Sequence, residues 1–294
     1  MDNPQTHHCG YVAIVGKPNA GKSTLMNALV GQKLSIVTPK PQTTRHRVLG
    51  ILSDADYQMI FLDTPGVLQP KYGLHRSMMN AVNAATRDAD VILMIVDATV
   101  GKLDVETLEL IGARPVVLVV NKIDLVPPAE TLPLVDSYRQ RAEFASIVPI
   151  SAKKRTQLDV LLAEIARLLP AGPALYPAEM ISEQPERFFV SELIREAVFE
   201  RYRDEIPYST QVNIEAFTRK SGEKTRIDAE IVVERETQKG ILIGKGGKAL
   251  KAVGIRARQS IEEFLQEPVF LKLFVKVRED WRDKDTFLRS YGYE

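Results

Sequence analysis

Gly16-Lys17-Pro18-Asn19-Ala20-Gly21-Lys22-Ser23 decides the fold of the first half of this chain, because it follows the apolar, strand-like run 11–15 and precedes the helical pattern 24–30. In that setting G-x-x-x-x-G-K-[ST] forms a phosphate cradle. Its glycines let the backbone wrap a β-phosphate, and the helix offers unpaired N–H groups to the anion. We expect Lys22 to reach the β- and γ-phosphates and the Ser23 hydroxyl to bind Mg²⁺. The loop, with Thr24 behind it, predicts a site for a nucleoside triphosphate.

Two later strand ends specify the base. Asn121-Lys122-Ile123-Asp124 follows the buried-strand pattern 116–120, at the edge where open α/β sheets bind ligands. The Asp124 carboxylate can accept from N1–H and the 2-amino group of guanine, whereas adenine offers neither donor. We expect this carboxylate to be buried, so leaving it unpaired would cost about 1–3 kcal/mol and would reject ATP. The other predicted base-site residues are Asn121 and Lys122, which brace the loop and cover the base, and Ser151, Ala152 and Lys153, whose N–H groups contact guanine O6.

A metal site and a switch are expected between these motifs. Asp63-Thr64-Pro65-Gly66 ends the strand pattern 57–62. Asp63 would hold the metal through water, and the Gly66 N–H would sense the γ-phosphate. In the polar stretch 39–47, Thr44 rather than Thr43 would complete the Mg²⁺ shell when GTP orders the loop. The alternative for this stretch is a solvated basic surface loop.

Composition limits the class of protein. The 294 residues, 45% of them apolar, are enough for two domains with sizeable cores. A formal net charge of +1 predicts no global attraction to nucleic acid, so any RNA site must be local. The single cysteine, Cys9, excludes an intramolecular disulfide and is typical of a reducing cytoplasm. His7-His8-Cys9 is interpreted as a frayed N-terminus rather than a metal site, since no fourth ligand stands nearby.

Breaks in the hydrophobic pattern divide the chain. Pro170-Ala171-Gly172-Pro173 and Pro177 end a helical pattern, and the residues after them carry no core periodicity. We predict an N-terminal tail (1–9), a GTP-binding domain (10–172), a linker (173–187), a second domain (188–280) and a C-terminal tail (281–294). The apolar runs are short strands rather than membrane spans.

The second domain has the element order of a type II KH domain, which is an RNA-binding fold. A helix is predicted over 189–202 and strands over 211–217 and 226–233. A further helix that ends in the apolar run 241–243, a helix over 248–265 and a last strand over 269–277 follow. Gly244-Lys245-Gly246-Gly247 lies between the two middle helices of this α-β-β-α-α-β order. The predicted fold class is therefore α/β, with a P-loop GTPase domain of doubly wound, mostly parallel sheet followed by a smaller α+β type II KH domain.

A basic stretch surrounds this glycine loop. Residues 237–261 contain no acidic residue, and a helix N-terminus there can meet nucleotide phosphates. The predicted RNA-binding residues are Gly244, Lys245, Gly246, Gly247, Lys248, Lys251, Arg256 and Arg258. The alternative is a glycine-containing helix–turn–helix with a solvated basic face.

With these motifs, the chain resembles the Era family of bacterial GTPases over nearly its whole length. The resemblance rests on the octapeptide, Gln42-Thr43-Thr44-Arg45-His46, Asp-Thr-Pro-Gly, Asn-Lys-Ile-Asp, Ser-Ala-Lys and the KH domain. It implies a GTP-hydrolysing switch that binds the 3′ end of small-subunit (16S) rRNA and acts in 30S ribosomal subunit assembly. It also implies a cytoplasmic protein that is sometimes peripheral at the inner face of the cell membrane. The motifs themselves predict an Mg²⁺ cofactor, and we expect a monomer.

The expected catalytic residues are Lys22, Asn19, Thr44 and Gly66. Ras-like enzymes place a water-orienting Gln after the Asp-x-x-Gly glycine, but this chain has Val67, so we expect slow intrinsic hydrolysis. Resemblance to potassium-activated GTPases implies that the Asn19 amide oxygen helps to hold K⁺; the alternative is that Asn19 only stabilises the turn. A second function class stays open: an RNA-binding assembly chaperone with GTP as a structural ligand and negligible turnover.

Overall fold

The chain forms two units in a computed structural model that describes residues 7–293. Unit 1 comprises the chain up to Ser35, together with Thr44–Gln69 and Met78–Glu183. Unit 2 comprises Ile36–Thr43, Pro70–Ser77 and the chain from Gln184 onward. Each unit contains its own sheet and its own apolar core.

Unit 1 is built on a six-stranded sheet. Its strands are β1 (His8–Val15), β2 (Val48–Ser53), β3 (Tyr57–Asp63), β4 (Val91–Asp97), β5 (Val116–Asn121) and β6 (Ser146–Pro149). Its helices are α1 (Lys22–Val30), α2 (Gly73–Asp88, which begins in unit 2), α3 (Val105–Ile111), α4 (Pro128–Arg139) and α5 (Leu158–Leu168). The strand order is β2-β3-β1-β4-β5-β6, and β2 runs antiparallel to β3 while the other pairs are parallel. The predicted doubly wound, mostly parallel sheet is confirmed.

The central strands of this sheet are buried on both faces. Every side chain from Val91 to Val96 in β4 is at most 5% exposed. Continuous apolar strands of this kind occur where helices cover both faces of a parallel sheet. Because β1 lies between β3 and β4, the octapeptide leaves from the middle of the carboxyl edge, where such sheets bind ligands.

Strand β2 is absent from the sequence-based prediction. Gly50 interrupts its apolar run, and glycine lowers strand propensity. In the structure a Cβ at Gly50 would lie 3.0 Å from Val30 Cγ2 and 3.2 Å from Leu34 Cδ1. The glycine therefore permits close packing near the end of α1, and this long-range contact outweighs the weak local preference.

The predicted linker is held against unit 1 for most of its length. Gln58 Oε1 accepts hydrogen bonds from the N–H groups of Leu175 (2.7 Å) and Tyr176 (2.9 Å). The Ile51 N–H donates to the carbonyl of Ile181 at 2.9 Å. Residues 173–183 accordingly belong to unit 1, and the division between the units falls after Glu183.

Unit 2 is built on a three-stranded sheet of order β7-β8-β9. Its strands are β7 (Gln211–Thr218), β8 (Thr225–Val233) and β9 (Val269–Val277). Its helices are α6 (Glu186–Arg201), the short α7 (Ile206–Ser209), α8 (Glu236–Ile243), α9 (Lys248–Leu265) and α10 (Asp285–Ser290). The pair β7–β8 is antiparallel and β8–β9 is parallel. The order α6-β7-β8-α8-α9-β9 confirms the predicted KH arrangement, to which α7 and α10 are added.

Both predicted tails are more ordered than expected. Residues 1–6 of the predicted tail 1–9 lie outside the described residues, but His8 and Cys9 begin β1, and Cys9 is 6% exposed. A frayed end is therefore wrong for these two positions. At the other end, the described part of 281–294 packs into unit 2: Trp281 Nε1 donates to the Ser209 carbonyl, and Tyr293 Oη donates to Gln211 Oε1, both at 2.8 Å. Glu294 lies outside the described residues.

Within residues 7–293, no helix combines the length and the apolar character that crossing a membrane requires.

Candidate functional site

The octapeptide forms a tight loop whose glycines are required by their contacts. Gly21 has φ +103°, and a Cβ there would lie 2.2 Å from Asn121 Nδ2. A Cβ at Gly16 would lie 2.4 Å from the carbonyl oxygen of Ile95. The positive φ at Gly21 would also strain any L side chain. Glycine at both positions therefore lets the loop pack closely against Ile95 of β4 and against Asn121, in the tight conformation expected of a phosphate cradle.

Lys22, the first residue of α1, has a buried ammonium group. Its Nζ donates to the carbonyl oxygens of Gly16 (3.0 Å) and Lys17 (2.9 Å). Burial lowers the pKa of Lys22 to about 8, and the nearby Asp63 carboxylate opposes this shift. Phosphate oxygens beside the loop would favour the charged form. The geometry supports the predicted role of Lys22 as a phosphate ligand.

The three predicted metal ligands meet beside Lys22. Ser23 Oγ lies 2.8 Å from Thr44 Oγ1 and donates to Asp63 Oδ2 at 2.8 Å. Asp63 is fully buried, and burial raises its pKa. Its other oxygen, Oδ1, accepts no hydrogen bond from any residue between 7 and 293. A buried carboxylate with an unused oxygen, next to two hydroxyls, fits Mg²⁺, because the cation would offset the desolvation of Asp63.

The switch stretch is not a solvated loop where it meets this cluster. Thr43, Thr44 and Arg45 are at most 9% exposed. The Thr43 hydroxyl donates to the Lys40 carbonyl at 2.7 Å, whereas the Thr44 hydroxyl faces Ser23. The alternative of a basic surface loop is therefore wrong for residues 43–45, and the hydroxyl positions support Thr44 as the metal ligand.

The segment Asp63-Thr64-Pro65-Gly66 packs directly on the octapeptide. The Val67 N–H donates to the Gly16 carbonyl at 3.1 Å. A Cβ at Gly66 would lie 2.7 Å from Pro18 Cγ, so a side chain does not fit there. The Val67 side chain is 6% exposed and carries no donor or acceptor for an attacking water.

Asn121 ties the base-site loop to the octapeptide. Its Nδ2 donates to the Ala20 carbonyl at 2.9 Å, and its Oδ1 accepts from the Ala152 N–H at 3.0 Å. This bridge supports the predicted bracing role. Lys122, with a left-handed φ of 68°, donates to Asp97 Oδ2 at 2.6 Å. Sequence reasoning missed Asp97, although it ends a strand just as Asn121 does.

The predicted base-reading carboxylate is exposed rather than buried. Asp124 lies in a one-turn 3₁₀ helix (Ile123–Leu125) and accepts a 2.6 Å hydrogen bond from Ser151 Oγ. The expected penalty for a buried, unpaired carboxylate therefore does not apply, and guanine reading by Asp124 stays a prediction that rests on direct pairing with the base. Lys153, in the adjacent loop, is also exposed.

The remaining predicted loop residues have different environments. Lys17 is exposed, with its Nζ 2.9 Å from Asp104 Oδ1, and Thr24 is half-buried in the first turn of α1. Asn19 is exposed and left-handed, with φ +64°. Asn tolerates this conformation better than most residues. The backbone alone thus gives a structural reason for Asn at this position.

Replacing Asp124 with Asn is expected to change the base preference. The Asn amide donates where the carboxylate accepted, so GTP affinity should fall about 10- to 100-fold, while xanthosine triphosphate should gain. Titrations of both nucleotides with the full chain measure this. Ser151→Ala, which keeps the carboxylate, is the matched control and should still prefer GTP; an unchanged preference in the Asp124 variant would refute base reading by this loop.

The glycine loop of unit 2 joins α8 to α9 and leaves its backbone open. Gly246 and Gly247 have φ +59° and +73°, and a Cβ at either would meet nothing within 4 Å. Gly244 differs, because a Cβ there would lie 2.6 Å from Ala249 Cβ. Helix packing therefore requires Gly244, while Gly246 and Gly247 leave room for a phosphate. Lys245 and Lys248 are exposed on this loop.

A groove of ≈ 510 Å³ runs between α9 and β9 beside the loop. Gly247, Lys251 and Arg258 line it, and their spacing places them on one face of α9. Sequence reasoning missed two further lining residues, Lys224 and the 54% exposed Phe270. An aromatic residue at an outward position of a strand was the available signal, because bases stack on such rings.

Arg256 lies elsewhere on α9. Its guanidinium forms a bidentate ion pair with Glu200 of α6, with Nε–Oε2 at 2.8 Å and Nη2–Oε1 at 3.0 Å. A carboxylate already satisfies this fork. Arg256 therefore makes a contact between two helices of unit 2, and its role as an RNA ligand stays a prediction.

Comparison with known proteins matches both units. A family model described as 50S ribosome-binding GTPase matches residues 11–122, and a KH domain model matches residues 205–282. The chain is 45% identical to the GTPase Era of Lacticaseibacillus paracasei, covering 98% of this chain and 97% of that protein. It is 47% identical to the chloroplastic GTPase ERA1 of Zea mays, over 98% and 71% respectively. A crystal structure of Era with MgGDPNP and nucleotides 1506–1542 of 16S ribosomal RNA has 44% identity and a TM-score of 0.95, covering 98% of this chain and 99% of that one.

Proposed function

Because the chain belongs to the Era family of GTPases, we propose that it is a GTP-hydrolysing switch that binds the 3′ end of 16S rRNA and acts in 30S ribosomal subunit assembly. The observation that carries this proposal is the presence, on one chain, of the Ser23–Thr44–Asp63 cluster beside a phosphate loop and of a basic groove beside a Gly-x-x-Gly loop. The related Era crystallised with MgGDPNP and 16S rRNA nucleotides supports both ligands.

The residues of unit 1 suit in-line attack of water on the γ-phosphorus. Lys22 and the loop N–H groups would stabilise the charge that spreads over the phosphate oxygens. Ser23, Thr44 and Asp63 would hold Mg²⁺, and the chemistry this ion supplies when bound is charge neutralisation at the β- and γ-oxygens. Gly66, packed against Pro18, would bring its backbone N–H to the γ-phosphate.

The intrinsic rate should be slow. Val67 occupies the position of the water-orienting Gln of Ras-like enzymes and can neither donate nor accept. We expect unassisted turnover on the order of 10⁻⁴–10⁻³ s⁻¹, as in small GTPases without an activator.

Val67 also favours a second candidate function, an RNA-binding assembly chaperone for which GTP is a structural ligand. Single-turnover hydrolysis by the full chain in KCl, with and without a 16S rRNA 3′-end oligonucleotide, separates the two. A switch should hydrolyse its bound GTP completely within a single-turnover time course. Bound GTP that stays intact in both conditions would favour the chaperone.

Potassium is proposed to stimulate this hydrolysis through Asn19. A K⁺ held near the β/γ-bridge acts on developing charge, so it should raise the rate more than the nucleotide affinity. Rates in KCl should exceed those in NaCl at equal ionic strength. Asn19→Gly is the variant that tests this role, because it removes the amide oxygen and retains the left-handed φ of 64°. It should abolish the difference between the two salts while leaving nucleotide binding largely intact. Equal rates of the parent chain in the two salts would return Asn19 to a purely structural role.

The proposed setting is a monomer in the cytoplasm, with a fraction peripheral at the inner face of the cell membrane. Its support is the resemblance to bacterial Era and the use of a single cysteine, Cys9. Sedimentation of the purified chain tests the monomer, and fractionation of cells in low and high salt tests the peripheral association.

A further inference from the structure

Two short segments, Ile36–Thr43 and Pro70–Ser77, belong to unit 2 although they interrupt unit 1 in the sequence. The first immediately precedes Thr44, whose hydroxyl lies in the metal cluster. The second follows the Asp63–Gly66 motif. Contacts within unit 2 therefore fix the backbone immediately next to residues of the predicted nucleotide site.

Two consecutive residues of α6, Arg195 and Glu196, hold the 36–43 segment at both of its ends. Arg195 Nη2 donates to the Thr43 carbonyl at 2.5 Å. Glu196 Oε1 accepts from the Val37 N–H at 3.2 Å. Both are hydrogen bonds between a charged side chain and the backbone, a class stronger than neutral pairs.

The middle of the segment is held as well. Lys40 Nζ donates to the carbonyls of Phe199 and Tyr202, at the end of α6 where helix carbonyls lack partners within the helix. Thr38 Oγ1 lies 2.8 Å from Thr43 Oγ1, so the segment is also closed on itself. The stretch is thus fixed by α6 along its length.

The charged side chains of α6 that hold this segment are almost completely buried. Arg195 and Glu196 are only 1% and 3% exposed. Arg195 pairs with Glu192, with Nε 2.8 Å from Oε1. Buried ion pairs give up hydration that a pair of apolar residues would not have to lose, so they are poor devices for stability alone. Besides Glu192, the Arg195 guanidinium contacts the Thr43 carbonyl of the 36–43 segment. This second contact indicates that Arg195 positions the backbone of that segment.

The Thr43 carbonyl and the Thr44 N–H belong to one planar peptide group. A donor that fixes the carbonyl therefore fixes the direction in which the Thr44 backbone leaves. In this arrangement the Thr44 hydroxyl lies 2.8 Å from Ser23 Oγ. We propose that Arg195, supported by Glu192, is a positioning residue that holds Thr44 as a ligand for the magnesium of bound GTP.

This inference rests on the proposed GTP switch and adds its regulation. Switch segments of GTPases are ordered by the γ-phosphate and its metal and released after hydrolysis. A residue that pre-orders Thr44 should therefore favour the GTP state over the GDP state. Because binding free energies are reciprocal, GTP should in turn favour the arrangement of α6 that holds the segment.

The test is the double variant Arg195→Met, Glu192→Met in the full chain. Replacing both members of a buried ion pair by apolar residues is often neutral for folding, whereas removing one leaves an unpaired charge. Affinities for GDPNP and for GDP are measured across a Mg²⁺ series. GDPNP should bind about tenfold more weakly and require more Mg²⁺, since one charge-assisted hydrogen bond is removed, while GDP affinity should not change.

Arg219→Met is the matched control. It removes two ion pairs of unit 2, one with Glu186 in the first turn of the same helix (Nη1–Oε2 2.7 Å) and one with Glu267 (Nε–Oε1 2.8 Å), and should leave both affinities unchanged. Parent-like GDPNP binding by the double variant, or an equal loss in Arg219→Met, would overturn the inference. Absence of Mg²⁺-dependent GDPNP binding in the parent chain would instead overturn the proposed function.

Discussion

Replacing both Lys245 and Gly246 with Asp is expected to weaken binding of a 16S rRNA 3′-end oligonucleotide by about 100-fold or more, since each charge-assisted interaction with a phosphate contributes about 1.5–3 kcal/mol. Both positions are exposed on the glycine loop. A side chain at Gly246 meets nothing within 4 Å, and Asp tolerates its left-handed φ of 59°, so the fold should be retained. The new carboxylates would lie where nucleotide phosphates approach.

Filter binding across a salt series measures this prediction. The dependence of affinity on salt should become shallower by about one unit of slope for each phosphate that the variant no longer neutralises. The matched control replaces both Gly101 and Lys102 with Asp. These are an adjacent glycine and lysine in unit 1, and the double substitution changes the net charge by the same amount. Gly101 also has a positive φ, +63°, and the nearest atom to a Cβ added there would be Leu134 Cδ1, at 3.9 Å. If the groove variant bound like the parent with the same slope, the RNA site would lie elsewhere.

Gly21→Ala should abolish most nucleotide binding, with GTP and GDP both weakened by about 100-fold or more. A residue with a Cβ at φ +103° is strained by about 1–3 kcal/mol. The new Cβ would also lie 2.2 Å from Asn121 Nδ2 and would displace the side chain that bridges Ala20 and Ala152. Each of those hydrogen bonds contributes about 1 kcal/mol, so the phosphate loop and the base loop should be disrupted together.

Gly31→Ala separates the effect of backbone strain from the effect of displacing the Asn121 side chain. Gly31 ends the same helix, α1, with φ +81°, but a Cβ there meets nothing within 4 Å. This control should lower thermal stability through backbone strain while leaving nucleotide affinity unchanged. Equilibrium titration of GTP and GDP, with unfolding followed by circular dichroism, measures both variants. Nucleotide affinity retained by Gly21→Ala would show that Asn121 can move without cost to the site.

The sites were predictable from sequence where their chemistry is local. Residues 16–23, 63–66 and 121–124 are each a short motif at the end of an apolar strand, so one stretch of chain carries both the strand signal and the ligand groups. The KH element order was predictable for the same reason, since hydrophobic periodicity marks each helix and strand separately. Asp97 ends a strand as Asn121 does, but its partner Lys122 comes 25 residues later, so no single motif marks the pair.

The sequence by itself determined the two fold classes, the strands of unit 1 other than β2, the KH element order and the motifs that predict the phosphate, metal and base sites, because these depend on neighbours a few residues apart. The tertiary structure alone decided that Asp124 is exposed, that Arg256 pairs with Glu200, that residues 173–183 lie on unit 1 and that Arg195 holds Thr43. Arg195 and Thr43 are 152 positions apart, and nothing in the periodicity of either segment marks the other. Such contacts arise only when packing of separate elements brings distant donors and acceptors within hydrogen-bonding distance.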